Sequence, residues 1–64
     1  MTSIANTALQ SIMREARNTL PSRFDTSYFL GAIDAMSKHF EPDPDLVKEA
    51  HETVHELRRR YGPP

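Results

Sequence analysis

The sequence predicts an all-α fold: a small three-helix bundle with helices at about residues 3–20, 25–40 and 44–61. In each stretch the apolar residues recur at spacings of three and four, as on one face of a helix. Each stretch begins at a residue that commonly caps a helix N-terminus, and a proline or glycine follows its end. The caps are Thr2 or Ser3, Asp25 and Asp43, and the residues that follow are Pro21, Pro42 and Gly62. Short turns favour antiparallel neighbours. The alternative is a long hairpin plus one packed helix that completes its core only in a dimer.

The first helix is expected to run from about Ser3 to Asn18 or Leu20. Thr2 or Ser3 caps it, because a short hydroxyl side chain accepts a hydrogen bond from the free amides of the first turn. Pro21 ends it, because the residue before a proline is pushed out of the helical conformation. The apolar stripe expected to face the core consists of Ala5, Leu9, Ile12, Ala16 and Leu20, widened by Ala8 and Met13.

The second helix has the clearest start, with Asp25 as N-cap and Phe24 placed to pack on Phe29 as a hydrophobic staple. As the most apolar segment of the chain, it is expected to be the most buried. Gly31 costs about 1 kcal/mol relative to alanine in mid-helix. With Ala35 it forms either a groove for another helix backbone or an ordinary exposed position. The expected core stripe is Phe29, Ile33, Met36 and Phe40, flanked by Tyr28, Ala32 and Ala35.

The third helix follows a rigid, acidic turn. Asp43 as N-cap with Pro44 at the first helical position predicts its start, and Gly62 predicts its end. The apolar seam expected to face the core, either of its own bundle or of a second subunit, consists of Val47, Ala50, Val54, Leu57 and Tyr61.

This third helix also carries the H-E-x-x-H pattern, His51-Glu52-Thr53-Val54-His55. These five residues, and no others, resemble the zinc-binding motif of the zincin metalloproteases, which implies two zinc ligands and a general-base glutamate. No His, Asp or Glu follows Glu56 to supply a third ligand, although His39 or a symmetry mate could. The seam places His51 at the border of the core and His55 outward. We therefore expect no enzyme and no cofactor, with metal binding as the third interpretation.

The third helix ends in Arg58-Arg59-Arg60. One interpretation is that these arginines pair with the negative end of the helix dipole. The other is that they form a basic patch that binds phosphate groups, with Tyr61 available to stack on a base. A helix-turn-helix reading fails, because the N-terminal end of the third helix, which would meet DNA, carries Asp43, Asp45 and Glu49. Nucleic-acid binding through the C-terminal arginines is the alternative function.

Length and composition limit the remaining function classes. The chain has 64 residues, a formal charge of −1 and no cysteine, so it predicts one small helical domain over residues 1–64 without disulfides or thiolate metal sites. Near-neutrality argues against a general attraction to nucleic acid or anionic lipid. No apolar run approaches the roughly 18 residues of a membrane span, and no signal-peptide pattern is present, so we expect no membrane partner and a cytoplasmic location.

The sequence shows no nucleophile with a base at a recognisable spacing and no phosphate-binding glycine loop. We therefore expect a regulator, an inhibitor or an accessory subunit that binds another protein through a helical surface, as a homodimer or in a complex. The residues expected to contact the partner are Phe24, Tyr28, Gly31, Arg58 and Tyr61.

Overall fold

A computed structural model describes residues 3–62 and confirms the three-helix bundle. Helix α1 spans Ile4–Asn18, α2 spans Thr26–Phe40 and α3 spans Pro44–Tyr61, with a short 3₁₀ turn at Pro21–Arg23. Each helix packs against the other two, and the described residues contain no strand. The molecule measures 37 × 18 × 16 Å. The prediction that a dimer completes the core stays a prediction.

The predicted caps begin all three helices. The cap hydrogen bonds run from Asn6 N to Ser3 Oγ at 3.0 Å, from Tyr28 N to Asp25 Oδ1 at 3.2 Å and from Asp45 N to Asp43 Oδ1 at 3.0 Å. Each bond satisfies an amide that has no partner within its own helix. Thr2, the alternative cap of α1, lies outside the described residues. Gly62 ends α3 at a positive φ of 82°.

Helices α1 and α3 run parallel to each other. Near their starts, the Asp43 amide donates to Asn6 Oδ1 at 2.9 Å. Further along both helices, the Thr53 hydroxyl lies 3.7 Å from the sulfur of Met13. Because residue numbers rise together in the two contacts, the helices point in the same direction.

Helix α2 runs opposite to α3. Phe24, just before α2, contacts Tyr61 at the end of α3, whereas Asp34 in the middle of α2 contacts His51 in the middle of α3. One end of the bundle therefore carries the end of α1, the start of α2 and the end of α3. The other end carries the opposite terminus of each helix.

The core consists of apolar side chains from all three helices. Leu9, Ile33 and Val54 are its largest fully buried members, one from each helix. The described residues contain no buried polar or charged side chain, so apolar packing supplies the stabilisation. The buried apolar residues of the three helices are Ala5, Leu9, Met13, Ala16, Phe29, Ile33, Ala50, Val54 and Leu57. The predicted seam of α3 is confirmed, with Val47 and Tyr61 half-buried at the two ends of its buried part.

Leu20 does not belong to the core stripe of the first helix, so that part of the prediction is wrong. Helix α1 ends at Asn18, and both Thr19 and Leu20 have extended backbones before Pro21. The helical periodicity that assigned Leu20 to the core therefore stops two residues before it. Its side chain is 62% exposed.

The prediction that the second helix is the most buried is also wrong. Only Phe29 and Ile33 of α2 are buried, against four residues of α1 and three of α3. Phe40 is the last residue of α2 and is 59% exposed, because it lies where the helix leaves the bundle. The most apolar helix of the chain thus contributes the fewest buried residues, although its Leu30 and Met36 pack partly buried against the core.

Within residues 3–62, no helix combines the length and the apolar character needed to cross a bilayer.

Candidate functional site

The charged side chains are segregated between the two halves of the bundle. Residues 12–33 and 53–62, which we call the arginine half, contain all six arginines and three carboxylates. Residues 3–11 and 34–52, which we call the acidic half, contain two lysines and six carboxylates. All of these side chains are exposed. Their formal side-chain charges are +3 and −4, so a chain that is nearly neutral overall is strongly polarised along its length.

Four of the five aromatic residues form one chain of edge-to-face contacts in the arginine half. The ring centroids are 5.2 Å apart for Tyr28 and Phe29, 5.2 Å for Phe29 and Phe24, and 5.3 Å for Phe24 and Tyr61. The contact between Phe24 and Phe29 is the predicted hydrophobic staple. Through Phe24, these contacts also join the end of α3 to the start of α2.

A shallow, open cleft lies at the end of this aromatic chain. The 3₁₀ turn, the first turn of α2 and the last turn of α3 line it. Three of the five predicted partner-binding residues, Phe24, Arg58 and Tyr61, are brought together here. Leu20, whose side chain is 62% exposed, immediately precedes the turn that lines the cleft.

The other two predicted partner-binding residues, Tyr28 and Gly31, lie instead on the side of α2 that faces away from the core. Both are exposed, Tyr28 by 59%, and Ala35 one turn further along is exposed as well. A Cβ added at Gly31 would meet nothing within 4 Å. Within a single chain, therefore, no other helix packs closely on Gly31. Of the two interpretations of this glycine, the ordinary exposed position applies to the monomer.

Arg58, Arg59 and Arg60 are all exposed in the last turn of α3, where the helix dipole favours cations. They are not equivalent, because Arg59 donates a hydrogen bond of 2.6 Å to Glu56 one turn earlier. This contact holds the pKa of the Glu56 carboxyl below its ordinary value, first through the hydrogen bond and then through the charge of Arg59. Arg59 thus has a carboxylate neighbour inside the arginine half.

Replacing Arg59 with alanine is expected to raise the pKa of Glu56 back towards its ordinary value. An NMR titration of the Glu56 side-chain carboxyl carbon measures the change. Arg60→Ala is the control, and we expect it to raise the pKa less, because Arg60 acts on Glu56 through charge alone and more weakly than Arg59. Equal pKa shifts in the two variants would mean that the hydrogen bond contributes nothing.

The same pair has a defined pH dependence. The folded-state pKa of Glu56 is lower than that of the unfolded chain, so the pair adds stability above the unfolded pKa. That contribution is lost as the pH falls through the lowered folded-state value. Since both side chains are largely exposed, solvent screening keeps the effect small.

The histidines occupy the positions that the seam predicted: His51 is half-exposed at the border of the core and His55 is exposed. Nε2 of His51 lies 3.1 Å from Oδ1 of Asp34, so α2 supplies this imidazole with a carboxylate neighbour. His39 is exposed near the end of α2. Among residues 3–62, no group of three or more His, Cys, Asp or Glu side chains is arranged to hold a metal ion.

The sequence analysis did not predict that Leu20 is exposed, nor that all six arginines lie in the same half of the bundle. Arg58 is 35 positions after Arg23 in the sequence, and the directions of the three helices bring it to the same half of the bundle as Arg17 and Arg23. A signal was present all the same. Every arginine falls in the second half of the first helix, in the turn that follows or in the last turn of the third helix. In a bundle with short turns, these segments meet at one end.

The chain matches no protein-family model, no curated protein and no solved structure. Two surfaces are therefore candidates for binding: the cleft of the arginine half and the side of α2 that faces away from the core.

Proposed function

We propose that this chain is a non-enzymatic regulator, inhibitor or accessory subunit that binds another protein through the arginine half. One observation carries the proposal: all six arginines lie in the half of the molecule that also contains the exposed Leu20 and the cleft lined by Phe24 and Arg58. Arginine and aromatic side chains are enriched in protein interfaces, and an exposed apolar side chain such as Leu20 gains from burial there.

The partner's contact surface should be acidic and should offer a shallow apolar site. The arginine half carries a formal side-chain charge of +3, which attracts acidic surfaces and raises the rate of encounter. Leu20 then becomes buried in the complex, and this burial favours binding by the hydrophobic effect. Arg58 lines the cleft and offers a planar group that binds a carboxylate through two parallel hydrogen bonds.

Nucleic acid is the alternative partner for the same surface, and three features favour protein over it. The ring of Tyr61 is half-buried against Phe24, so it is less available to stack on a base. Arg59 already has the carboxylate of Glu56 as its neighbour. Exposed Leu20 gains from burial against an apolar surface but not from contact with phosphates. Metal binding through His51 and His55 remains the third interpretation.

The test compares two double variants that carry the same types of change in opposite halves. Leu20→Ser with Arg58→Glu alters the arginine half, and Ile4→Ser with Lys48→Glu alters the acidic half. All four side chains are exposed, so we expect both variants to fold. Immobilised wild-type and control chains should retain the same protein from a native extract. The arginine-half variant should lose it, and with the purified partner its dissociation constant should rise at least about tenfold.

Treating the extract with nuclease separates the two partner classes. A retained protein that survives nuclease and binds the wild-type chain in purified form supports the proposal. Retention that disappears with nuclease, together with salt-sensitive binding of an oligonucleotide, contradicts it and favours the alternative. Equal retention by the two variants would also rule out the arginine half as the binding surface.

A further inference from the structure

The positive charge of the arginine half is not spread evenly over its surface, because its arginines line two different grooves. The first groove is the cleft formed by the 3₁₀ turn, the start of α2 and the end of α3, and Arg23 and Arg58 line it. The second groove lies along α3 on the side of α1, and Arg17, Arg59 and Arg60 line it. Arg14 lines neither groove.

The second groove carries no net charge. Three carboxylates line it together with its three arginines, and they belong to Glu49, Glu52 and Glu56. Arg59 donates a hydrogen bond of 2.6 Å to Glu56. Because the formal charges cancel, this groove has no net attraction for anions. The arginine triplet at the end of α3 is therefore divided, since Arg58 lines the cleft whereas Arg59 and Arg60 line a neutral groove.

The cleft keeps a net positive charge. Its lining contains one carboxylate, that of Asp25, which accepts a hydrogen bond of 3.2 Å from the Tyr28 amide as the N-cap of α2. Neither Arg23 nor Arg58 forms an ion pair with another described residue. Two arginines against one carboxylate leave a formal charge of +1 in the cleft, and the two guanidinium groups come from different elements of the fold.

Aromatic rings give the cleft an apolar part as well. Phe24 and Tyr61 line it, and their ring centroids are 5.3 Å apart in an edge-to-face contact. Both aromatic side chains are half-buried, whereas Arg23 and Arg58 are exposed, so the rings lie deeper than the arginines. This arrangement fits a chain segment whose anionic group lies between the guanidinium groups while its hydrocarbon part covers the rings.

We propose that the cleft binds a carboxylate side chain in an acidic segment of the partner protein, and that Arg23 and Arg58 hold this carboxylate. The inference rests on the function proposed above and assigns its recognition to two of the six arginines. A guanidinium group binds a carboxylate through two parallel hydrogen bonds, and the single charge of the carboxylate matches the +1 of the cleft. A nucleic-acid backbone would bring several phosphates close to the carboxylate of Asp25, which repels them.

A capped pentapeptide, acetyl-Gly-Leu-Glu-Leu-Gly-amide, is the probe for this site. Titration of the ¹⁵N-labelled chain, followed by NMR at about 0.15 M salt, should shift the amide signals of residues 22–27 and Gly62. The dissociation constant should be about 1–10 mM, as for a small ligand with few contacts. The same peptide with glutamine in place of its glutamate should bind about two- to fivefold more weakly. Equal binding of the two peptides would overturn the proposal.

Three arginine variants with the same change of charge test the assignment to the cleft. Arg23→Gln and Arg58→Gln should each raise the dissociation constant of the glutamate peptide about two- to fivefold, the effect of losing one exposed ion pair. Arg14→Gln is the matched control from the same half, and it should leave the constant unchanged because salt screens a charge outside the cleft. All three side chains are exposed, so we expect the variants to fold. An equal loss in Arg14→Gln would overturn the assignment.

Failure of this inference and failure of the proposed function give different results. If the glutamate peptide causes no shift at about 20 mM, the inference is wrong. The proposed function then still stands if the wild-type chain retains a protein that Leu20→Ser with Arg58→Glu loses. If the peptide binds as expected but no protein is retained, the cleft binds carboxylates and the proposed function is wrong. Binding of an oligothymidylate at the cleft in place of the peptide would overturn the inference in favour of nucleic acid.

Discussion

Ile33→Ala is expected to lower the free energy of unfolding by about 2–4 kcal/mol, the usual range when a fully buried isoleucine is truncated. Ile33 has no solvent exposure and lies in the core cluster to which all three helices contribute. For a chain of 64 residues, total stability is expected to be about 3–10 kcal/mol, so the loss removes a large part of it. Thermal unfolding followed by circular dichroism should show a Tm lower by about 10–20 °C.

Ile4→Ala is the matched control, because it removes the same atoms from a side chain that is 84% exposed. Its effect on the free energy of unfolding should stay within about 0.5 kcal/mol, the usual range for surface substitutions. Both variants should be compared at one low protein concentration, so that self-association does not contribute to the Tm. A similar Tm for the two variants would contradict the placement of Ile33 in the core and Ile4 on the surface.

Phe24→Ala is expected to lower the free energy of unfolding by about 1.5–3 kcal/mol, somewhat less than for a fully buried phenylalanine. Although Phe24 lies outside the three α-helices, its ring contacts both Phe29 and Tyr61 and so connects the turn, α2 and α3. Losing it leaves the end of α3 without its aromatic neighbour. Urea unfolding of Phe24→Ala, Tyr61→Ala and the double variant should give a coupling energy of about 0.5–1.5 kcal/mol.

Phe40→Ala serves as the control for this prediction. Phe40 is 59% exposed and lies at the end of α2, away from the aromatic chain. Its removal should cost less than about 1 kcal/mol. If Phe40→Ala destabilised the fold more than Phe24→Ala, the assignment of the aromatic chain as a structural link would be wrong.

The helices and their ends were largely predictable, because they depend on neighbouring residues. Asp25 and Asp43 cap the helices that follow them, as predicted, and Gly62 ends the last one. Pro21 prevents continuation of the first helix, but the helix ends at Asn18, at the earlier of the two predicted positions. A proline restricts only the residue before it, so it sets a limit for the helix end without fixing the last helical residue.

The candidate surfaces were predictable only in part. Tyr28 was expected to lie off the central stripe, and it is exposed; His55 was expected to point outward, and it does. The grouping of the five partner-binding residues could not be foreseen, because it depends on which helix ends meet. Phe24 and Tyr61 are 37 positions apart in the sequence and in contact in the fold, whereas Gly31 is close to Phe24 in the sequence and faces another direction.

By itself, the sequence determined three amphipathic helices, their caps and the apolar seam that each directs towards a core. These properties follow from hydrogen bonds and side-chain spacing within a few residues. Only the tertiary structure decided that Leu20 and Phe40 are exposed and that the arginines share one half of the molecule. The physical reason is that burial and charge clustering depend on what lies across the bundle, and therefore on the direction and length of the neighbouring helices.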